Sequence, residues 1–407
     1  MNISFIGLGK LGLPLACLLA KNNKVLFVDK NEFVLDKLNR KELPFFEPGL
    51  EDLFNQSSDN IIGITSSYNR VVQDTDAVII LVNTQLGDSG YASDFVESAA
   101  RDIALNLRDR DSYFTIILSS TVLPGTINNK LIPMIESVSG KKYKDGFGFT
   151  YVPDFVKLGS VVIDFQSPEF FLVGSNYDID YTITKKIFKG LHVNDCKEFK
   201  TTMEEAEVAK VALNSYIVNK ICFANFLGIL CEGLENVNVH NITNVIGNDR
   251  RISPFFFKSG TPYGGTCFPR DTKAFIKFSE DRGFESKGMK YCEEINSIVM
   301  DSIVSLVPQE HKKIGILGLS FKPNSPVLAG SPSVLLAKTL SLLNKEVYCF
   351  DRLESSYNDC PKYINTCSSP QQCIDKVDTV IIMHPDKYFS KLEYKDTIVI
   401  DKWGIIQ

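Results

Sequence analysis

The chain is 407 residues long, enough for two or three domains at roughly 150 residues each. Its 44 Lys and Arg against 49 Asp and Glu leave a net charge of −5, which argues against a protein that coats nucleic acid or another polyanion. A hydrophobic fraction of 44% beside 23% charged residues excludes a disordered or fibrous chain.

Residues 2–7 enter a strand pattern with no basic leader, and no apolar run nears the ~18–20 residues of a membrane span, so a cytoplasmic chain is expected. Ten cysteines form no CxxC pair, which speaks against a disulfide scaffold, a zinc ribbon or a resident metal. In chain order, 3–6 reads as a strand that leads into Gly7-Leu8-Gly9-Lys10-Leu11-Gly12, an apolar helix to 20 and a second strand at 24–29. Further strands are predicted at 76–82, 113–118 and 149–152, with polar helical segments between them. Such alternation predicts a parallel sheet with helices on both faces. Residues 203–234 hold neither Gly nor Pro before Gly228 and predict one long central helix, with Cys, Phe and Leu faces suited to burial against a second copy. After 308 the alternation resumes with a strand and turn at 313–320, a strand at 346–351 that echoes 24–29, and strands at 378–383 and 397–400. The fold class expected is α/β: two Rossmann-like parallel-sheet domains joined by a long central helix and a helical dimerisation region. The boundaries expected are 1–195, 196–300 and 301–407.

The glycine spacing of the first turn has a physical reason. Gly7 permits the tight strand-to-helix turn, Gly9 lets backbone approach a pyrophosphate, and Gly12 lets the helix pack close to the sheet. The helix N-terminus then offers free N–H donors to an anion. Asp29 ends the next strand 17 residues after Gly12, where a carboxylate accepts a ribose 2′-OH and repels a 2′-phosphate. NAD rather than NADP is the expected cofactor.

A second motif, Gly264-Gly265-Thr266-Cys267-Phe268-Pro269-Arg270-Asp271, places a thiol after a diglycine and four residues before a carboxylate. A thiol beside a nicotinamide site can trap an aldehyde as a thiohemiacetal and, after loss of a second hydride, leave a hydrolysable thioester. With this loop in view, the whole chain resembles the nucleotide-sugar 6-dehydrogenases. The blocks Phe46-Glu47-Pro48-Gly49-Leu50, Val82-Asn83-Thr84, Ser119-Ser120-Thr121-Val122, Pro153-Asp154-Phe155, Ala206-Glu207-Val208-Ala209-Lys210 and Gly318-Leu319-Ser320-Phe321-Lys322 occur in the family's order and register, together with Arg251.

The resemblance implies a four-electron oxidation of a sugar C6 alcohol to a carboxylate, with two NAD⁺ per turnover and Cys267 as nucleophile. It implies that Lys210 and Asn214 hold the C6 oxygen and a water, that Asp271 assists proton removal, and that Asp154 and Thr121 serve thioester hydrolysis and the water network. Lys10, Leu11, Thr84, Thr121 and Arg270 are expected beside the cofactor with Gly7, Gly9, Gly12 and Asp29. Phe155, Lys258, Tyr263, Gly264, Phe321 and Lys322 are expected around the nucleotide sugar, with Arg251 reaching a neighbouring subunit's site in a homodimer. No nucleic acid or membrane partner is expected. The Gly-Gly-Thr-Cys loop resembles the members that act on UDP-glucose, whereas members acting on N-acetylhexosamines tend to carry Gly-Gly-His-Cys. Other readings are the same chemistry on a UDP-N-acetylhexosamine or GDP-mannose, and a catalytically silent nucleotide-sugar-binding protein. Departures from the family pattern are Val152, Leu158, Ala329-Gly330-Ser331 and Asp401-Lys402-Trp403.

Overall fold

The computed structural model describes residues 1–87 and 90–406. It forms two compact units, Met1–Ala212 and the chain from Leu213 onward.

The first unit is built on an eight-stranded sheet in the order Lys197–Thr201, Phe170–Ser175, Phe147–Tyr151, Phe114–Leu118, Ala77–Ile80, Asn2–Ile6, Lys24–Val28, Ile61–Thr65. All neighbours pair in parallel except Phe147–Tyr151 with Phe170–Ser175. The central strands are buried along their whole length, because helices cover both faces and leave no side for water. Strand alternation then divides the core in two: Ile3, Phe5, Val25 and Phe27 face one layer, while Ile6, Leu26, Val28 and Ile80 face the other. The first and second strands follow the sequence reading closely. The strands Ile61–Thr65, Phe170–Ser175 and Lys197–Thr201 were not expected from it.

The second unit carries the helices Val239–Gly247, Phe268–Glu280 and Lys287–Ser305, then a five-stranded, wholly parallel sheet. Its order is Ile364–Thr366, Glu346–Phe350, Lys313–Leu317, Thr379–Ile382, Ile398–Ile400. In each sheet the first strand of the unfolding βαβ order lies between its second and fourth neighbours. That arrangement reverses the winding beside the first strand and opens a crevice at its C-terminal end.

The helix Met203–Cys231 runs through the boundary between the units. Gly228 within it lies so close to Ser259 that a Cβ would meet Ser259 Oγ at 2.2 Å, so this glycine serves packing. Contrary to the sequence expectation, the helix is long and apolar enough to cross a membrane by length and composition, with an 18-residue window of mean hydropathy 1.2. Its interrupting polar residues have internal partners: Lys210 on Asp154, Asn214 on Asp271, Asn225 on Gly260 and Thr261.

Candidate active site

At the first crevice Gly7 adopts φ 99°, and a Cβ there would sit 2.2 Å from the Leu81 carbonyl oxygen. Only glycine fits this turn. A Cβ on Gly12 would lie 1.8 Å from the Gly7 carbonyl, so the opening turn of the helix Gly12–Leu19 rests directly on the strand end. Above Gly9, by contrast, a Cβ would meet nothing within 4 Å. That helix carries no side-chain cap and no acid in its first turn, which leaves its amino end to an anion. Asp29 is half-buried; its Oδ2 accepts the Leu8 N–H at 2.7 Å and its Oδ1 the Asn31 N–H at 2.8 Å. Open space over Gly9, an uncapped helix and a fixed carboxylate at the end of the second strand fit a dinucleotide. Lys10 is exposed beside them, Leu11 half-buried, and Thr84 and Thr121 buried at the ends of neighbouring strands.

Still in the first unit, Lys210 is 6% exposed. Its ammonium donates to the backbone carbonyl of Asp154, lies 3.7 Å from Asp154 Oδ1, and sits 4.8 Å from the Phe155 ring centroid. A buried charge needs such partners, and the block Pro153-Asp154-Phe155 supplies all three. Glu47, from the Phe46–Leu50 block, fixes the segment that follows by accepting the N–H groups of Gly159 and Val161 at 3.2 and 2.9 Å. Val152 and Leu158, two of the departures, pack into the apolar core beside it.

Sequence reasoning quoted Glu207 but gave it no role. It is fully buried one helical turn before Lys210, and its carboxylate accepts the N–H groups of Gly125 at 2.6 Å and Ile127 at 3.0 Å. Burial pushes its carboxyl up to about 7, against the pull of those two donors. The loop it holds begins four residues after Thr121. Its i, i+3 spacing to Lys210 was the signal available in the sequence.

In the second unit the diglycine lies on the segment that follows the strand Lys313–Leu317. Gly265, at φ 84°, donates its N–H to the Gly330 carbonyl at 2.9 Å, and a Cβ there would strike the Phe321 ring at 2.5 Å. Gly264 is as tight against the Gly330 carbonyl and Pro332. Tyr263 is half-buried and exchanges two hydrogen bonds with Asn296. Cys267 is exposed at the amino end of the helix Phe268–Glu280, with Thr266 Oγ1 3.7 Å from its sulfur. One turn on, Asp271 is fully buried; its Oδ2 accepts from Asn214 Nδ2 at 2.5 Å and its Oδ1 from Arg270 Nε at 3.1 Å. Asn214 stands four residues beyond Lys210 on one helix, so the two share a face.

Other expected residues stand as follows. Arg270 engages Asp271. Arg251 is exposed and forms a two-pronged pair with Asp249 on its own loop. Lys258 is exposed, and Lys322 lies 5.7 Å from the Phe321 ring centroid. Lys402 binds Glu232 and Ser302, Ala329 is exposed, and Trp403 packs over Gly260.

With this geometry, comparison with known proteins is direct. Three profiles of the UDP-glucose/GDP-mannose dehydrogenase family match in succession: the NAD binding domain over residues 1–192, the central domain over 204–298 and the UDP binding domain over 315–407. The chain is 30% identical to UDP-glucose 6-dehydrogenase AglM of Haloferax volcanii over 100% of this chain and 97% of that one. It is 31% identical to GDP-mannose 6-dehydrogenase of Pseudomonas aeruginosa over 86% of this chain and 81% of that one. The structure of a UDP-glucose dehydrogenase from Pyrobaculum islandicum superposes with a TM-score of 0.91 at 28% identity, covering 99% of this chain and 94% of that one. The chain is therefore an NAD-binding nucleotide-sugar dehydrogenase and belongs to the UDP-glucose/GDP-mannose dehydrogenase family.

Proposed function

We propose that the protein oxidises the C6 alcohol of UDP-glucose to the carboxylate of UDP-glucuronate. The observation that carries this reading is the exposed Cys267 thiol at the start of a helix whose next turn buries Asp271 against Asn214. NAD⁺, when bound, supplies the hydride acceptor for both oxidations. As the alcohol loses its hydride, its proton passes through water to Asp271 and Lys210 stabilises the negative charge that develops on the C6 oxygen, which gives the aldehyde. Cys267 Sγ then adds to the aldehyde carbon and gives a thiohemiacetal; loss of the second hydride leaves a thioester. Water displaces the sulfur, which returns the free thiol and the carboxylic acid. Asn214 holds the water of that step, Asp271 takes its proton, and Asp154 with Thr121 completes its surroundings.

Thr266 before Cys267 favours glucose over an N-acetylhexosamine, and the full-length match to a UDP-glucose 6-dehydrogenase supports it. GDP-mannose is the second reading, favoured by the relative that is 31% identical over 86% of this chain. The division of labour follows: residues 1–195 for NAD, 196–300 for dimerisation and 301–407 for the nucleotide sugar. Exposed Tyr216, Phe223 and Leu230 recur every seven residues on the central helix, which supports a homodimer built on that face with Arg251 serving the partner's site. The test is NADH formation with UDP-glucose, UDP-galactose, UDP-N-acetylglucosamine, UDP-N-acetylmannosamine and GDP-mannose. UDP-glucose should give the highest kcat/KM, with two NADH per sugar. Preference for GDP-mannose would install the second reading, and binding without NADH would favour a silent protein.

A further inference from the structure

The loop between the helices Val239–Gly247 and Phe268–Glu280 holds two non-glycine residues with left-handed backbone, Ser253 at φ 70° and Phe256 at φ 59°. Each such conformation is strained for a residue with a side chain and persists where surrounding contacts over-determine it. The over-determining contact is Lys220. From the central helix its ammonium donates to three carbonyls of this turn: Ile252 at 3.0 Å, Ser253 at 3.1 Å and Phe255 at 2.6 Å. An ammonium has three protons, so the turn takes them all.

The turn so held reaches the cysteine loop. The Phe256 ring meets Phe268 edge-on with centroids 6.2 Å apart, and Phe268 is the residue after Cys267. Its neighbour Phe257 is buried and stacks on Phe223 at 6.1 Å, which fastens the other side of the turn to the central helix. A chain of contacts thus runs from Lys220 through Phe256 to the residue that carries the thiol's helix.

We propose that Lys220 is a positioning residue for Cys267: by capping three carbonyls of the 252–255 turn, it seats Phe256 on Phe268 and sets where the thiol stands. This deepens the function proposed above and rests on it for the identity of the reacting group. Without the ammonium, three carbonyls lose their donor and the left-handed turn relaxes.

The test reads Cys267 directly, by iodoacetamide alkylation followed by peptide mass spectrometry, alongside steady-state kinetics. In Lys220→Met the alkylation rate of Cys267 should change, and kcat fall, by about tenfold with KM for NAD⁺ unchanged, since a small misplacement of a reacting atom costs up to about 100-fold. Lys220→Arg keeps donors for the carbonyls and should restore most of both. Phe256→Leu leaves the lysine cap in place and removes the ring contact, so it should reproduce the alkylation change even where Lys220→Met fails to fold. Wild-type alkylation and kcat in Lys220→Met, or unchanged alkylation in Phe256→Leu, would overturn the proposal. If the unaltered protein forms no NADH with any nucleotide sugar, the function reading fails, and alkylation still decides the role of Lys220.

Discussion

At the end of Asn2–Ile6 the chain turns at Gly7 with φ 99°, and at the end of Lys313–Leu317 it turns at Gly318 with φ 97°. Each turn is tied to a carboxylate at the end of the second strand. Asp29 takes the Leu8 N–H and keeps part of its surface open, whereas one oxygen of Asp351 takes the Leu319 N–H, the Ser320 N–H and the Ser320 hydroxyl, and Asp351 is 5% exposed. After Gly7 the helix opens five residues on, at Gly12, with a bare amino end. After Gly318 it opens fourteen residues on, at Pro332, capped by the Ser331 hydroxyl. The strand, turn and carboxylate are thus a folding device common to both sheets. It fits a dinucleotide only where glycines bring an uncapped helix to the turn and the carboxylate stays accessible. In the second sheet the added residues instead seat the diglycine of the cysteine loop through Gly330 and Phe321.

If the two turns serve different ligands, damage at one should leave the other's ligand bound. Cys267→Ser should show the largest effect, a loss of about a thousandfold or more in complete turnover, because a hydroxyl that ionises far less readily replaces the proposed thiol nucleophile. NAD⁺ binding, measured by calorimetry, should be unchanged, and quenched protein should lack the thioester adduct by mass spectrometry. Full turnover with two NADH per product would end the thioester assignment. Lys210→Ala comes next, with about 3 kcal/mol lost from kcat/KM by analogy with a missing oxyanion donor. Both oxidation steps should slow in single-turnover experiments.

Matched substitutions sharpen the contrast between the carboxylates. Asp29→Asn should narrow the preference for NAD⁺ over NADP⁺ by about 2 kcal/mol, the scale of a hydrogen bond to a charged group. Asp351→Asn should leave that preference alone and instead cost about 2–3 kcal/mol of stability, since it removes the charge on the buried oxygen that three donors share. A cofactor preference that moves with Asp351 would break the comparison.

Much of this was legible in the sequence because it is local. Gly7, Gly9, Gly12 and Asp29 lie within one βαβ unit, and the echo of 24–29 at 346–351 announced the second sheet. The strand Lys197–Thr201 escaped because it is an edge strand with mostly exposed residues, three of its five charged, and carries no apolar run. Glu207 and Lys220 escaped for another reason. Their partners are backbone groups 80–82 and 32–35 residues away, and a backbone carbonyl or amide leaves no trace in residue identity. The tight seat of Gly264 and Gly265 against Gly330 and Phe321 emerges only from the fold.

The smallest expected effect concerns acid, and it separates the two units by sign. Burial raises the Glu207 carboxyl in the first unit from 4.5 to about 7, so the folded chain keeps a proton that the unfolded chain releases. That contribution is full below pH 4.5 and fades as pH rises towards 7. In the second unit His384 packs under Gly318 and holds Ser320 O at 2.7 Å; a carbonyl only accepts, so Nε2 carries the proton of the neutral ring. Burial lowers its pKa, and the Ser320 carbonyl, Asp351 and Asp386 only partly oppose this. The folded chain therefore binds fewer protons than the unfolded one, and stability from this site is lost as pH falls through about 6.5. Trp403, the only tryptophan in the chain, donates its indole N–H to Met383 O beside His384, so its fluorescence reports melting of the second unit. His384→Gln keeps a donor for Ser320 but cannot titrate. In it, the drop in the Trp403 melting temperature between pH 7.5 and pH 5.5 should shrink by about 2–4 °C. Glu207→Gln should leave that fluorescence drop as it is, because its linkage belongs to the other unit and has the opposite sign. A drop that persists undiminished in His384→Gln would remove His384 from the acid response of the second turn.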